Sequence, residues 1–160
     1  MHVNTQIEII RAGMEDIPQV VPLFDAYRQF YKQAPDREGA RRFLSARLQE
    51  KSSVIFLAFR IDENGVRHAC GFTQLYPSFS STTMETIWIL NDLFVAPDAR
   101  RLGVGKALLE HARDFGRKTQ AKELTLQTAV DNYTAQALYE AAGWQRDEEF
   151  LTYNLYLNNG

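Results

Sequence analysis

A chain of 160 residues is long enough for one domain with a sizeable core and too short for two ordinary ones, so a single domain over residues 1–160 is expected. A hydrophobic fraction of 45%, a charged fraction of 24% and a formal net charge of -2 describe an ordinary globular surface and argue against a nucleic-acid partner. Residues 1–6 lack a basic segment followed by an apolar run, and no apolar stretch approaches the roughly 18 residues of a membrane span, which points to a cytoplasmic protein with no membrane partner.

Ile7, Ile9 and Ile10 predict a first strand that ends at Ala12-Gly13, and Glu15 and Asp16 precede Pro18 at a helix start. That helix should run to about Lys32 and bury Val20, Val21, Phe24, Tyr27 and Tyr31. Ala34-Pro35-Asp36 breaks it. A second helix, about 37–50, carries Ala40, Phe43, Leu44 and Leu48 on one side and solvated arginines on the other. Residues 54–60 are dense in β-branched and aromatic side chains. Asn64-Gly65 is a hairpin turn into an antiparallel partner strand over about 68–76, stopped by Pro77. A Ser-rich link, 78–83, leads to the longest strand, 84–95, which is apolar on both faces and should be central. The next helix should bury Val104, Leu108, Ala112 and Phe115. Residues 124–130 then form a strand reached by crossover, hence parallel to the central one. Asp131-Asn132 caps a helix with the stripe Ala135, Leu138, Tyr139 and Ala142, closed by Gly143. Residues 150–157 alternate as a last strand, and about five residues at each end look loose.

The chemistry concentrates between Asn91 and Lys106, where an apolar strand meets a Pro97-Asp98 turn and a basic, glycine-punctuated helix start. Gly103 and Gly105 let backbone N–H groups approach a ligand, the helix adds its positive end, and Arg100, Arg101 and Lys106 supply charge, which together suit a pyrophosphate. A P-loop is excluded, because one residue separates the glycines and Lys106 is followed by Ala107. The dinucleotide fingerprint is excluded as well, because Leu108 stands where it needs a third glycine.

The pattern that fits is Arg-x-x-Gly-x-Gly, Arg100 to Gly105, which resembles the coenzyme A loop of the GNAT superfamily of N-acetyltransferases. Arg101 stands where a glycine is common in that family. A second stretch, Asn132-Tyr133-Thr134-Ala135-Gln136-Ala137-Leu138-Tyr139-Glu140-Ala141-Ala142-Gly143-Trp144, is similar to the family's Asn-x-x-Ala-x-x-Leu-Tyr-x-x-x-Gly-aromatic motif. The resemblance implies a mixed α/β GNAT fold: a twisted, mostly antiparallel sheet with one splayed parallel strand pair, flanked by about four helices. It further implies acetyl-CoA as cofactor, with Leu93, Phe94 and Val95 offering backbone hydrogen bonds to the pantetheine arm. Arg100, Arg101, Leu102, Gly103, Val104, Gly105 and Lys106 would hold the pyrophosphate, with Asn132 and Tyr139 beside the thiol. A homodimer is implied in the same way.

An amide-containing arm can pair with the unpaired backbone of splayed strands. A tyrosine with ordinary pKa near 10 can protonate a departing thiolate whose parent is near 8.5. Tyr139 reads either as that acid or as a core aromatic, and Asn132 either as a ligand or as a helix cap. Asn91 and Asp92 interrupt an apolar strand and need hydrogen-bond partners if buried. In polyamine acetyltransferases of the superfamily the corresponding pair resembles Glu-Asp, so Asp92 matches and Asn91 lacks the carboxylate. Asp92 is the candidate catalytic carboxylate and cation anchor, with a purely structural role as the alternative; Glu85 is a second candidate base, acting through water. The acceptor is expected to be a small primary amine bound by Tyr27, Tyr31, Tyr76, Phe79, Asn91 and Asp92. A peptide or protein amine, or a CoA-binding module without turnover, are the alternatives. Cys70, the only cysteine, excludes an internal disulfide and should be inert in a core strand. His2, His68 and His111 have no metal-ligand spacing, so no metal is expected.

Overall fold

Strand β2 (Val54–Ile61) has no polar residue before Arg60, and it is buried on both faces, the pattern of a strand inside a layered sheet. It lies between β1 (Gln6–Arg11) and β3 (Arg67–Ser80), followed in order by β4 (Glu85–Val95) and β5 (Leu124–Thr125). The first four strands are antiparallel to their neighbours, and β4 and β5 are parallel, as the crossover through helix α3 (Val104–Lys118) requires. The structure, a computed structural model, describes residues 5–158. They form two units, one running to Gln127 and the other starting at Thr128. His2 and most of the terminal residues expected to be loose lie outside the described residues.

One face of the sheet packs on helices α1 (Ile17–Phe30) and α2 (Arg37–Gln49), where Val20, Val21, Leu23, Phe24, Ala40 and Leu44 meet Ile55, Leu57, Phe59, Phe72 and Phe94. Phe56 points to the other face, its ring 4.7 Å from that of His111 and 5.4 Å from that of Phe115 on α3. Each such side chain contributes about 1.5–3 kcal/mol on burial. Gly71 sets the depth of α3: a Cβ there would lie 2.9 Å from the Phe94 carbonyl oxygen and 3.0 Å from Val104 Cγ1. Asp25 is 2% exposed and accepts from the Asp36 N–H (2.9 Å) and from Arg28 (3.1 Å), tying α1 to the start of α2.

Several expectations need correcting. Helix α1 ends at Phe30, and Tyr31 is 51% exposed outside the buried stripe, because Lys32 turns into the left-handed region. Pro77 does not stop β3, which runs on to Ser80. Beyond Leu75 the strand has no partner on its β2 side, so a residue without an N–H leaves no ladder bond missing there. The link to β4 is therefore only the turn 81–84, with Met84 left-handed and outside the strand. Strand β3 occupies the middle of the sheet and β4 stands next to its edge. The strand expected over 124–130 is regular only at Leu124–Thr125, paired with Trp88 and Ile89. Past that point β4 continues with no strand beside it on this side among the described residues, so the parallel pair parts as expected.

In the second unit Asn132 caps α4 (Tyr133–Ala141), its Oδ1 accepting from the Ala135 N–H at 3.2 Å, and Gly143 follows with φ 94°. No residue from 128 to 158 is buried, and residues 150–157 do not form the expected strand.

Candidate active site

The register between β3 and β4 slips after Gln74↔Asp92, so that Leu75 faces Leu90 and Asn91 is the extra residue of a bulge. The slip leaves Asn91 exposed and buries Asp92, which is 3% exposed. Asp92 Oδ2 accepts from Gln74 Nε2 at 2.5 Å, and Oδ1 accepts from Asn91 Nδ2 at 2.8 Å. The Thr73 hydroxyl donates to the Asp92 carbonyl at 2.7 Å and the Tyr27 hydroxyl to that of Asn91 at 3.3 Å. Burial raises the Asp92 carboxyl above its ordinary pKa, and hydrogen bonds from Gln74, Asn91 and Tyr27 offset part of that. Burial and then the Asp92 charge push the Tyr76 phenol up to about 12 and raise Tyr27 as well, so both stay protonated donors at neutral pH. Gln74 is fully buried, and its Oε1 has no hydrogen-bond partner among the described residues. No periodicity in the sequence marked Gln74.

After β4 the chain makes a short 3-10 turn, Pro97–Ala99, pinned by the buried Ala99. Arg101 (φ 67°) and Gly103 (φ 83°) then occupy the left-handed region. For Arg101, at the position where the resembling family commonly has glycine, that conformation costs about 1–2 kcal/mol. Past Arg100, the next backbone N–H recorded with a carbonyl partner is that of Ala107, which donates to Gly103 at 3.0 Å. The preceding N–H groups form the open positive end of α3. A Cβ on Gly103 would meet nothing within 4 Å, so the space beside it is open. Arg100, Arg101, Leu102 and Lys106 are exposed around it, whereas Val104 is buried and anchors the helix. These donors and cations fit a pyrophosphate. Upstream, Leu93, Phe94 and Val95 pair with Thr73, Phe72 and Gly71 on the β3 side; no strand among the described residues lies on their other edge, where the Val95 carbonyl accepts from Arg100 Nε at 3.3 Å, and the rest of that edge suits an amide-bearing arm.

Of the remaining candidates, Tyr27 and Tyr31 stack edge to face at 5.1 Å, and Tyr76 follows Gln74 on the same strand face. Phe79 is not brought to this group: it stands on the opposite face of β3 and is 74% exposed. Glu85 is exposed at the far end of β4. In the second unit Tyr139 is half-buried, its ring 6.1 Å from that of Trp144. Cys70 is buried and its thiol raised by desolvation, the setting of an inert cysteine.

The model of the Acetyltransferase (GNAT) family matches residues 20–144. An uncharacterized N-acetyltransferase, YhfO of Bacillus subtilis, is 48% identical over 93% of this chain and 97% of its own. The ribosomal protein bS18-alanine N-acetyltransferase of Escherichia coli is 33% identical over 63% of this chain and 62% of its own. A crystal structure of a probable acetyltransferase superposes with a TM-score of 0.88 at 43% identity, over 96% of this chain and 99% of that one.

Proposed function

This chain belongs to the GNAT family and is an acetyl-CoA-dependent N-acetyltransferase, and we propose that it acetylates the primary amine of a small molecule such as an amino acid or polyamine, by direct transfer. In this reading it is a single catalytic domain that works as a homodimer in the cytoplasm. The observation that carries the reading is the Asp92 carboxylate, buried and held by Gln74 and Asn91 beside Tyr27 and Tyr76. An alkyl amine with a pKa near 10.4 is about 99.9% protonated at pH 7, so its enzyme must attract a cation and then remove a proton. A carboxylate suits both tasks, and one whose pKa is raised toward neutrality is the better base.

When bound, acetyl-CoA supplies an acetyl thioester whose C–S bond breaks as the amine's C–N bond forms. The N–H groups at the start of α3, with Arg100, Arg101 and Lys106, would hold its pyrophosphate, and the open part of the Leu93–Val95 edge would align its arm. Asp92 draws the ammonium in and takes a proton from it. Tyr139 would serve as proton donor to the leaving thiolate, and Asn132 caps the helix that carries this tyrosine. The second reading is a protein acceptor, favoured by the likeness to the bS18-alanine N-acetyltransferase.

A thiol-release screen over polyamines, amino acids, aminoglycosides and lysine peptides tests the acceptor, and turnover only with peptides overturns it. Tyr139→Phe should lower turnover about a hundredfold or more with CoA affinity nearly intact. A loss below about threefold returns Tyr139 to a packing role.

A further inference from the structure

An ammonium drawn to this site finds one carboxylate that is still without a cation. Helices α1 and α2 and the turn between them, residues 17–50, carry four acidic side chains, and all four are engaged. Asp25 accepts from Arg28 at 3.1 Å and from the Asp36 N–H, and Asp36 caps α2 through the Gly39 N–H at 2.9 Å. Glu38 pairs with Arg41, and Glu50 with Arg47 at 2.9 Å. Strand β3 has no acidic residue, and Glu85 lies at the far end of β4. Asp92 is held by the uncharged donors Gln74, Asn91 and Tyr27. Residues 17–50 also hold six basic side chains, Arg28, Lys32, Arg37, Arg41, Arg42 and Arg47, so a second ammonium on the acceptor would meet repulsion and no anchor.

What stands beside that carboxylate is a row of rings. Tyr27, which hydrogen-bonds to Asp92, meets Tyr31 edge to face at 5.1 Å, and Tyr31 meets Phe30 in the same manner at 5.2 Å. Exposure rises outward along the row, from half-buried Tyr27 to 51% at Tyr31 and 60% at Phe30. The backbone beneath them is fixed, since the Lys32 N–H donates to the Gln29 carbonyl at 2.9 Å and the Gln33 N–H to that of Arg28 at 3.0 Å. The rings thus make a standing apolar approach from solvent to a buried negative charge. We propose that the acceptor is a monoamine with an aromatic body, an arylalkylamine, whose ammonium sits at Asp92 and whose ring lies against Tyr31 and Phe30. This rests on the small-amine reading above and narrows it away from polyamines. Aromatic faces attract an ammonium, and edge or offset ring packing rewards an aromatic body over an alkyl one. A ring laid on the row also displaces water from the approach, which strengthens the pull of Asp92 on the cation.

The test compares kcat/KM in thiol release for 2-phenylethylamine, propylamine and 1,4-diaminobutane, with lysine peptides as a fourth arm. The expected result places 2-phenylethylamine about tenfold or more above each of the other amines and the peptides. Tyr31→Ala should cut its advantage over propylamine about fivefold, chiefly through KM, whereas Tyr31→Phe, which keeps the ring, should retain it. If 2-phenylethylamine does no better than propylamine or diaminobutane, the aromatic monoamine is overturned and the small-amine reading stands. An advantage that Tyr31→Ala leaves intact has the same meaning, because the ring is then bound elsewhere. Turnover with peptides alone overturns both. The order of the amines on the wild-type chain does not depend on either variant folding.

Discussion

At Asp92 stability and chemistry pull in opposite directions. A carboxyl whose pKa is raised in the folded state supports folding below its unfolded value near 3.9 and withdraws that support as pH climbs through the folded value. Asp92→Asn, which removes the buried charge, should therefore melt higher than wild type at pH 7 to 8, with the gap closing below about pH 4. The asparagine amide also has an acceptor waiting, since Gln74 can turn its unpaired Oε1 toward it. A lower melting temperature for Asp92→Asn at pH 8 would contradict this account. The same variant should raise the Michaelis constant for a cationic amine. Gln74 donates to the ionised form, and a hydrogen bond to a charge is worth about 1.5–3 kcal/mol, so Gln74→Met should raise the Asp92 titration midpoint by about one unit or more. Carboxyl carbon NMR, assigned with Asp92→Asn, reads that midpoint directly; Tyr27 and Tyr76 are the titratable groups that feel the carboxylate, with Tyr31 acting on Tyr27 and Arg47 on Tyr76. An unmoved midpoint would leave Gln74 with packing alone. Asn91-Asp92 was visible in the sequence as a polar break in an apolar strand, but the bulge that buries one and exposes the other was not. It depends on how two strands align 18 residues apart.

Among the elements, the turn into α3 ties the cofactor to the sheet. Gly103→Asp should weaken CoA binding at least tenfold, roughly 1.4 kcal/mol, because it adds a negative charge at the anion site and a side chain at φ 83°. Titration calorimetry on the folded variant checks this, and unchanged affinity would remove the pyrophosphate from this turn. The spacing Arg100-x-x-Gly103-x-Gly105 and the stripe Val104, Leu108 and Ala112 were readable because glycine freedom and helical periodicity are local properties. Pro77 misled because its cost depends on what lies beside it: within a paired ladder it would end the strand, and on the unpaired side it costs nothing. Gly71 carried no signal at all. Its small size matters only because α3, more than 30 residues later, presses Val104 against it.

At the scale of the whole molecule, the fold class followed from element order and the two motifs, and the mixed sheet with its parallel pair agrees with that expectation. The strands predicted over 124–130 and 150–157 did not form in full, and both lie in the last quarter of the chain. Alternating apolar residues say that a segment wants a partner strand, without saying which chain provides it. The strand order holds a consequence of another kind. From β2 to β4 each strand lies beside the one made just before it, so a chain emerging from the ribosome can lay each new strand on an edge already present and pays little loop-closure entropy. Gln74 and Asp92, partners across β3 and β4, leave the ribosome before the phosphate-binding turn does. The acceptor side of the enzyme can thus take shape on the nascent chain ahead of the cofactor side.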